Sequence, residues 1–252
     1  MAVFITGASS GLGAALAKQY ALQGHTLGLV ARRRDRLHEL AAILPGRHYL
    51  YVVDVQDRDE LHAAASNFIE QVGEVDVVIA CAGISAGTLT EQTDDFGVFK
   101  AIFETNVMAT VSTFEPFVAQ MLKRQSGTLV GIASVAGVRG LPGAGAYSAS
   151  KSAVTTYCES LRLELKPHNV GVVTIAPGYI RTEMTAKNPY HMPFLMDAGV
   201  FAVKALAAIQ QKKSYVVIPW QMGVVGKLMR LLPNWLYDRL TVNAPRKPRQ
   251  TG

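Results

Sequence analysis

Ala2-Val3-Phe4-Ile5-Thr6-Gly7-Ala8-Ser9-Ser10-Gly11-Leu12-Gly13 decides the architecture of this chain. A short apolar run ends at a threonine and a glycine-rich turn, and a helical pattern over about 11–23 follows. Unbroken apolar residues, rather than alternating ones, predict a strand buried on both faces. A turn that passes from strand to helix turns backbone N–H groups and the positive end of the helix dipole outward, an arrangement that holds phosphate. In this reading Gly7 permits the tight turn, Gly11 admits close backbone approach, and Gly13 lets helix pack on strand. Ser9, Ser10 and Leu12 complete the loop. The spacing is G-x-x-x-G-x-G, not the common dinucleotide fingerprint G-x-G-x-x-G.

The same alternation continues to residue 218. Apolar, β-branched runs occur at Ala2–Ile5, Thr26–Val30, Tyr49–Val53, Val75–Ala80, Thr128–Ala133, Gly171–Ile175 and Tyr215–Ile218. Helical patterns lie between them at 11–23, 34–43, 57–72, 96–124, 147–167 and 198–211. Strands interleaved with helices predict an α/β chain. The expected fold is a Rossmann-type doubly wound, seven-stranded parallel sheet in three α/β/α layers. No linker or repeat divides the chain, so residues 1–252 read as one domain. Three regions fall outside the alternation: an insertion at 184–197, a helical extension at 219–243, and a basic tail at 244–252 that is expected to fray.

Composition narrows the class. The 252 residues are 49% apolar and 17% charged, enough for a sizeable core and too few charges for a disordered chain. Cys81 and Cys158 are the two cysteines, far apart in apolar surroundings, so they form no disulfide framework, and no Cys/His spacing suits zinc. Both read as buried thiols. Met1–Ile5 reads as the start of a strand rather than a leader, and a cytoplasmic chain is expected. The formal charge of +6 asks for an anionic partner: nucleic acid, a membrane surface or a phosphate-bearing cofactor. No recognition module or aromatic-basic stripe supports nucleic acid.

The cofactor has a local address. The second apolar run ends at Val30-Ala31, and Arg32 and Arg33 follow, where NAD-binding members of this fold type carry an acid. A guanidinium donates two parallel hydrogen bonds to phosphate, so these residues predict NADP(H) over NAD. Asp35 is read as a first-turn acid of the next helix. Asp54 and Val55 end the third run, where the carboxylate suits an adenine amino group and the valine the ring. The alternative for Asp54 is an N-cap of the helix at 57–72. The small residues Ala80-Cys81-Ala82-Gly83 end the fourth, and small residues let Ala82 and Gly83 lie against a flat ligand.

Three polar residues converge at the other end. Ser134 follows the fifth run, and Tyr147 and Lys151 are four apart at the start of a helix whose core stripe is Val154, Cys158, Leu161 and Leu165. Tyr147 would exchange a proton with a carbonyl or alcohol oxygen as a hydride moves. A free phenol has a pKa near 10, and a neighbouring ammonium from Lys151 together with a cationic nicotinamide favours phenolate. Ser134 would hydrogen-bond the same oxygen. Lys151 also suits ribose hydroxyls.

With these residues the chain resembles the short-chain dehydrogenase/reductases in their common single-domain branch, over about residues 1–218. Thr6–Gly13 is similar to that family's cofactor loop, and Ser134, Tyr147 and Lys151 to its catalytic set. The resemblance further implies that Asn106 holds a helix kink and a relay water. It implies that Pro177-Gly178-Tyr179-Ile180-Arg181-Thr182 contributes contacts from Ile180 and Thr182 to the nicotinamide carboxamide. It also implies a homodimer or homotetramer paired through helices near 104–124 and 147–167. One departure stands out: where the family often has Asn-Asn-Ala-Gly, this chain has Ala80-Cys81-Ala82-Gly83, which alters hydrogen bonding there.

The expected function is an NADP-dependent interconversion of a small-molecule carbonyl and alcohol, with a lipophilic substrate. The competing reading is a catalytically silent NADP-binding regulator or scaffold. Such a protein is expected to lose Tyr or Lys, and both remain. The insertion holds Met184, Tyr190, Met192, Phe194, Leu195 and Met196, which suit an adaptable lid or a loop packed on itself. The extension at 219–243 suits a pocket cap, a subunit contact or, less favoured, a membrane-surface helix.

Overall fold

The computed structural model describes residues 1–249. In chain order the elements are β1 (Ala2–Thr6), α1 (Gly11–Leu22), β2 (Thr26–Ala31), α2 (Arg34–Ile43), β3 (His48–Val52), α3 (Arg58–Val72) and β4 (Val77–Ala80). Then come α4 (Asp95–Phe103), a π-helical turn (Glu104–Met108), α5 (Ala109–Arg124), β5 (Gly127–Ile132), α6 (Gly145–Leu165) and β6 (Val170–Pro177). The chain continues through β7 (Ile180–Arg181), α7 (Glu183–Ala186), β8 (Met196–Asp197), α8 (Ala198–Gln210), β9 (Tyr215–Ile218), α9 (Trp220–Leu231) and α10 (Asn234–Thr241).

Seven strands form one parallel sheet in the order β3-β2-β1-β4-β5-β6-β9, and β7 and β8 form a separate two-stranded ribbon. The reason the strands read as continuous apolar runs is visible in β1. Val3 and Ile5 pack with α1, α2 and α8, while Ala2 and Phe4 pack with α3, α5 and α6 on the other face. Successive side chains of a strand alternate between faces, so burial on both faces requires apolar residues throughout. At β2 the missing side chain of Gly28 makes room for aromatic packing. A Cβ there would stand 2.8 Å from the Phe4 ring and 2.9 Å from that of Phe68.

The chain leaves β1 toward β2 on one side and enters β4 on the other. This reversal of strand order opens a crevice beyond the C-terminal ends of β1 and β4.

The expected elements form with small shifts, and two regions differ in kind. The single helix expected over 96–124 is instead α4 and α5 joined by the π-helical turn. The tail expected to fray is seated as far as residue 249. Arg249 donates three hydrogen bonds of 2.9–3.1 Å to the buried carboxylate of Asp95, and the Gly87 amide donates to the Pro248 carbonyl at 2.8 Å. Composition marks the tail as basic and polar, but not that a buried acid 154 residues away receives it. Residues 250–252 of the expected tail lie outside the described residues.

The extension forms α9 and α10. Arg139 donates to the Met229 and Leu232 carbonyls at 2.8 and 2.7 Å and lies over the Tyr237 ring at 3.9 Å. The Tyr237 hydroxyl donates to the Gly140 carbonyl at 2.6 Å. Among the described residues, no helix is long and apolar enough to cross a membrane.

Candidate active site

A cleft of about 400 Å³ runs along the C-terminal edge of the sheet, from the turn after β1 to the start of α6. Its nucleotide end is built by close backbone packing. Gly7 has φ +68°, and a Cβ there would stand 2.7 Å from the Ala82 Cα. A Cβ on Gly13 would stand 2.2 Å from the Gly7 carbonyl oxygen, so helix and turn approach only because both residues are glycine. Thr6, buried at the end of β1, ties the turn to the strand beside it. Its hydroxyl accepts from the Cys81 and Ala82 amides at 3.2 and 3.4 Å and donates to the Ile79 carbonyl at 3.4 Å.

The residues present fit the phosphates of a dinucleotide. Ser10 is the N-cap of α1 but makes no side-chain bond to the helix, leaving its first N–H groups turned to the cleft. The Ser10 hydroxyl accepts from Arg33 at 2.6 Å instead, and the Ser9 hydroxyl accepts from the same guanidinium at 3.4 Å. Arg33 thus crosses from the end of β2 to the glycine turn. It also reaches Glu183 at 3.2 Å, which closes the mouth from the side of α7. Arg32 points to Asp54, with 3.3 Å between guanidinium and carboxylate.

At the other end, Gly145–Leu165 folds as one helix because its stripe of Val154, Cys158, Leu161 and Leu165 is buried against the sheet. Tyr147 and Lys151 lie in its first two turns. Ser134 caps the turn that follows β5, its hydroxyl accepting from the Ala136 amide at 3.1 Å. That turn rests on α6: a Cβ on Gly137 would stand 2.8 Å from the Lys151 carbonyl carbon. Ser134, Tyr147 and Lys151 all border the cleft.

Lys151 is buried and donates to the Ile132 carbonyl at 2.8 Å, with its ammonium 6.0 Å from the Tyr147 ring centre. Burial pushes its pKa down to about 8. Burial also raises the Tyr147 phenol, with the Ser134 hydroxyl opposing. The lowering of Tyr147 expected from the sequence is therefore outweighed by desolvation in the protein alone.

Asn106 sits in the π-helical turn, fully buried. Its Oδ1 accepts from the Ile84 amide at 2.8 Å, and its Nδ2 donates to the Ile84 carbonyl at 3.1 Å and to the Ser150 hydroxyl at 3.0 Å. It clamps the strand end after β4 to α6. The π-helical turn lies where the resemblance implied a kink.

Residues 1–192 match the family described as short chain dehydrogenase. The chain belongs to the short-chain dehydrogenase/reductase family. An uncharacterized oxidoreductase of Mycobacterium tuberculosis is 40% identical over 245 residues, covering 94% of this chain and 96% of that protein. A short-chain dehydrogenase from Sphingobium yanoikuyae, solved in complex with NADPH, superposes with a TM-score of 0.78 at 26% identity, covering 92% of this chain and 96% of that one. A short-chain dehydrogenase from Mycobacterium paratuberculosis, solved bound to NAD, shares the fold with a TM-score of 0.75 at 22% identity, covering 86% and 94%.

Most residues read from the sequence meet at one cleft. Gly7, Ser9, Ser10, Gly11, Leu12 and Gly13 border it at one end. Arg32, Arg33, Val55, Ala82 and Gly83 border its middle. Pro177, Gly178, Ile180 and Thr182 complete the wall opposite. Asp54 does not border it, although its neighbours Val53 and Val55 do. Its carboxylate instead faces Arg32 and accepts from the Gln56 amide at 3.1 Å. Nor is Asp54 the N-cap of α3, which is Asp57, accepting from the Glu60 amide at 2.9 Å. Asn106 acts from behind the cleft wall.

Cys158 is buried as expected, whereas Cys81 is only partly so and borders the cleft. In place of side-chain amides after β4, the Cys81 and Ala82 backbone amides are held by Thr6. The insertion divides: Met184 borders the cleft, while Phe194 and Leu195 face Val200 and Trp220 across a separate shallow hollow. Glu183 was missed, and no local signal marks it, because its partner Arg33 is 150 residues distant.

Proposed function

We propose that this short-chain dehydrogenase/reductase is an NADP(H)-dependent carbonyl reductase with Tyr147 as its general acid. The observation that carries the reading is the meeting of Tyr147, Lys151 and Ser134 on one cleft that begins at the glycine turn. The dinucleotide, when bound, supplies hydride to the carbonyl carbon. The chain's own residues handle the oxygen. Tyr147 donates its hydroxyl proton to it, and the raised pKa of the half-buried phenol keeps that proton in place until needed. Ser134 donates a hydrogen bond to the same oxygen as negative charge develops there. The buried Lys151 ammonium favours the phenolate left behind and offers donors to ribose hydroxyls.

Arg33, held against Ser9 and Ser10, supports a phosphate on the ribose, and hence NADP(H) over NAD(H). Reduction is the favoured direction because cells keep the NADP pool reduced. Met184, which borders the cleft, supports an apolar substrate body. Exposed Met108 and Leu163 support pairing of two copies through the helices that carry them. The test is a panel of ketones and aldehydes with NADPH and NADH, read by cofactor absorbance. NADPH-dependent reduction of apolar carbonyls is the expected result. Equal use of NADH would overturn the cofactor assignment, and no consumption with any carbonyl would overturn the reaction.

A further inference from the structure

The seated C-terminal tail brings a second lysine to Tyr147. Residues 246–249 lie along the segment Ser85–Thr88, and Thr88 pairs with Ala144 at the start of the catalytic helix. Two glycines leave the room. A Cβ on Gly87 would stand 2.3 Å from the Lys247 carbonyl oxygen, and one on Gly143 would stand 3.0 Å from the Arg246 Cβ. Asp95 anchors the end. Asp95 is 4% exposed, and its carboxylate accepts from the Leu89 amide at 2.8 Å and takes the fork of Arg249. A tail held at both glycines and by a bidentate pair is a fixed wall, not a dangling end.

What this wall presents is the Lys247 ammonium. It lies 5.2 Å from the Tyr147 ring centre, closer than Lys151, and donates to the Ser85 hydroxyl at 2.5 Å. Arg249 has Asp95, but among the described residues no carboxylate lies within ion-pair distance of Lys247. An ammonium carries three donors, and one is used by Ser85. Burial also pushes its pKa down to about 8, so its charge is held at a cost that no carboxylate among the described residues offsets. Lys151 also makes one bond, to the Ile132 carbonyl, and its remaining donors are assigned to the ribose hydroxyls in the reductase reading.

We infer that Lys247 is a specificity-determining residue, and that the carbonyl substrate carries an acidic group, a carboxylate a few bonds from the reacting carbonyl, which pairs with this ammonium beside Tyr147. The inference rests on the carbonyl-reductase reading and narrows its substrate class to keto acids with an apolar body. The tail is then part of the substrate site, and the Asp95–Arg249 pair acts through it as a positioning contact.

The experiment compares α-, β- and γ-keto acids of five carbons with their methyl esters, using the full chain and NADPH. The readout is the acid-to-ester ratio of kcat/KM. The wild-type protein is expected to favour at least one acid over its ester. Lys247→Met is expected to lower that ratio about tenfold or more, and Lys247→Arg to retain most of it. Gly87→Val keeps the lysine but displaces the tail from its seat, and is expected to lower the ratio as well.

A wild-type preference for every ester, or a ratio unchanged in Lys247→Met, would overturn the inference while the reductase reading stands. If neither acids nor esters are turned over, the reductase reading fails. Calorimetry of the same acids with the NADPH-loaded protein then decides the inference. Binding that is lost in Lys247→Met supports it, and absence of binding overturns it.

Discussion

Replacing Lys151 by methionine separates what this residue does for catalysis from what it costs the fold. The side chain is buried, its only hydrogen bond among the described residues goes to the Ile132 carbonyl, and no carboxylate neutralises it. Its pKa falls from the ordinary 10.5 to about 8, so the charged amine is disfavoured in the folded protein by about 3 kcal/mol. Methionine fills similar space without the charge. Losing the bond to Ile132 returns about 1 kcal/mol. Lys151→Met is therefore expected to be more stable than the parent by about 2 kcal/mol at neutral pH, and inactive.

The sign with pH follows from proton counting. Between about 8 and 10.5 the folded lysine has lost its proton while the unfolded one retains it. The unfolded state then binds more protons, so the parent gains stability as pH rises through that window. Tyr147, Cys81 and Cys158 are all pushed upward by burial and act in the opposite direction; the Lys151 charge lowers both thiols, so its removal raises them further and closes the gap in the same direction. Urea unfolding of both proteins without cofactor, in steps from neutral pH to 10.5, measures it. The gap should close across the window. A mutant less stable than the parent at neutral pH, or a gap that does not change with pH, would refute the reasoning.

Two further perturbations probe the nucleotide end. Thr6→Val keeps the shape but leaves the Cys81 and Ala82 amides without their acceptor. Urea unfolding should show a loss of about 1–3 kcal/mol, and titration should show weaker NADPH binding. Arg33→Ala and Arg32→Asp should each raise the Kd for NADPH about tenfold or more while moving that for NADH little, with Arg33→Ala the larger because Arg33 lies on the glycine turn. Fluorescence titration with both cofactors reads the difference directly.

The sheet was legible because its chemistry is local. A strand buried on both faces must be apolar, and a turn that packs on its neighbour must be glycine, as Gly7 and Gly13 are. Tyr147 and Lys151 were legible because four residues on a helix share a face. What the sequence did not disclose depends on partners distant in the chain. Arg33 reads as a phosphate ligand, but its hold on Ser10 and Glu183 emerges only when β2, α1 and α7 converge. Asp54 reads as a ligand of adenine, but its ion pair with Arg32 emerges only when the ends of β2 and β3 lie side by side. The tail reads as solvated because its charges are counted without Asp95, whose burial makes Arg249 its partner. The π turn at Glu104–Met108 lacks proline or glycine, so composition gives no sign of it, and only the resemblance at Asn106 pointed to an irregularity there.

Tyr147→Phe tests the central claim most directly, since it removes one hydroxyl from the cleft and leaves the ring in place. With a carbonyl that the parent protein reduces, the account predicts that NADPH consumption is abolished in this variant while its Kd for NADPH stays close to the parent's. Turnover at the parent's rate would contradict the account.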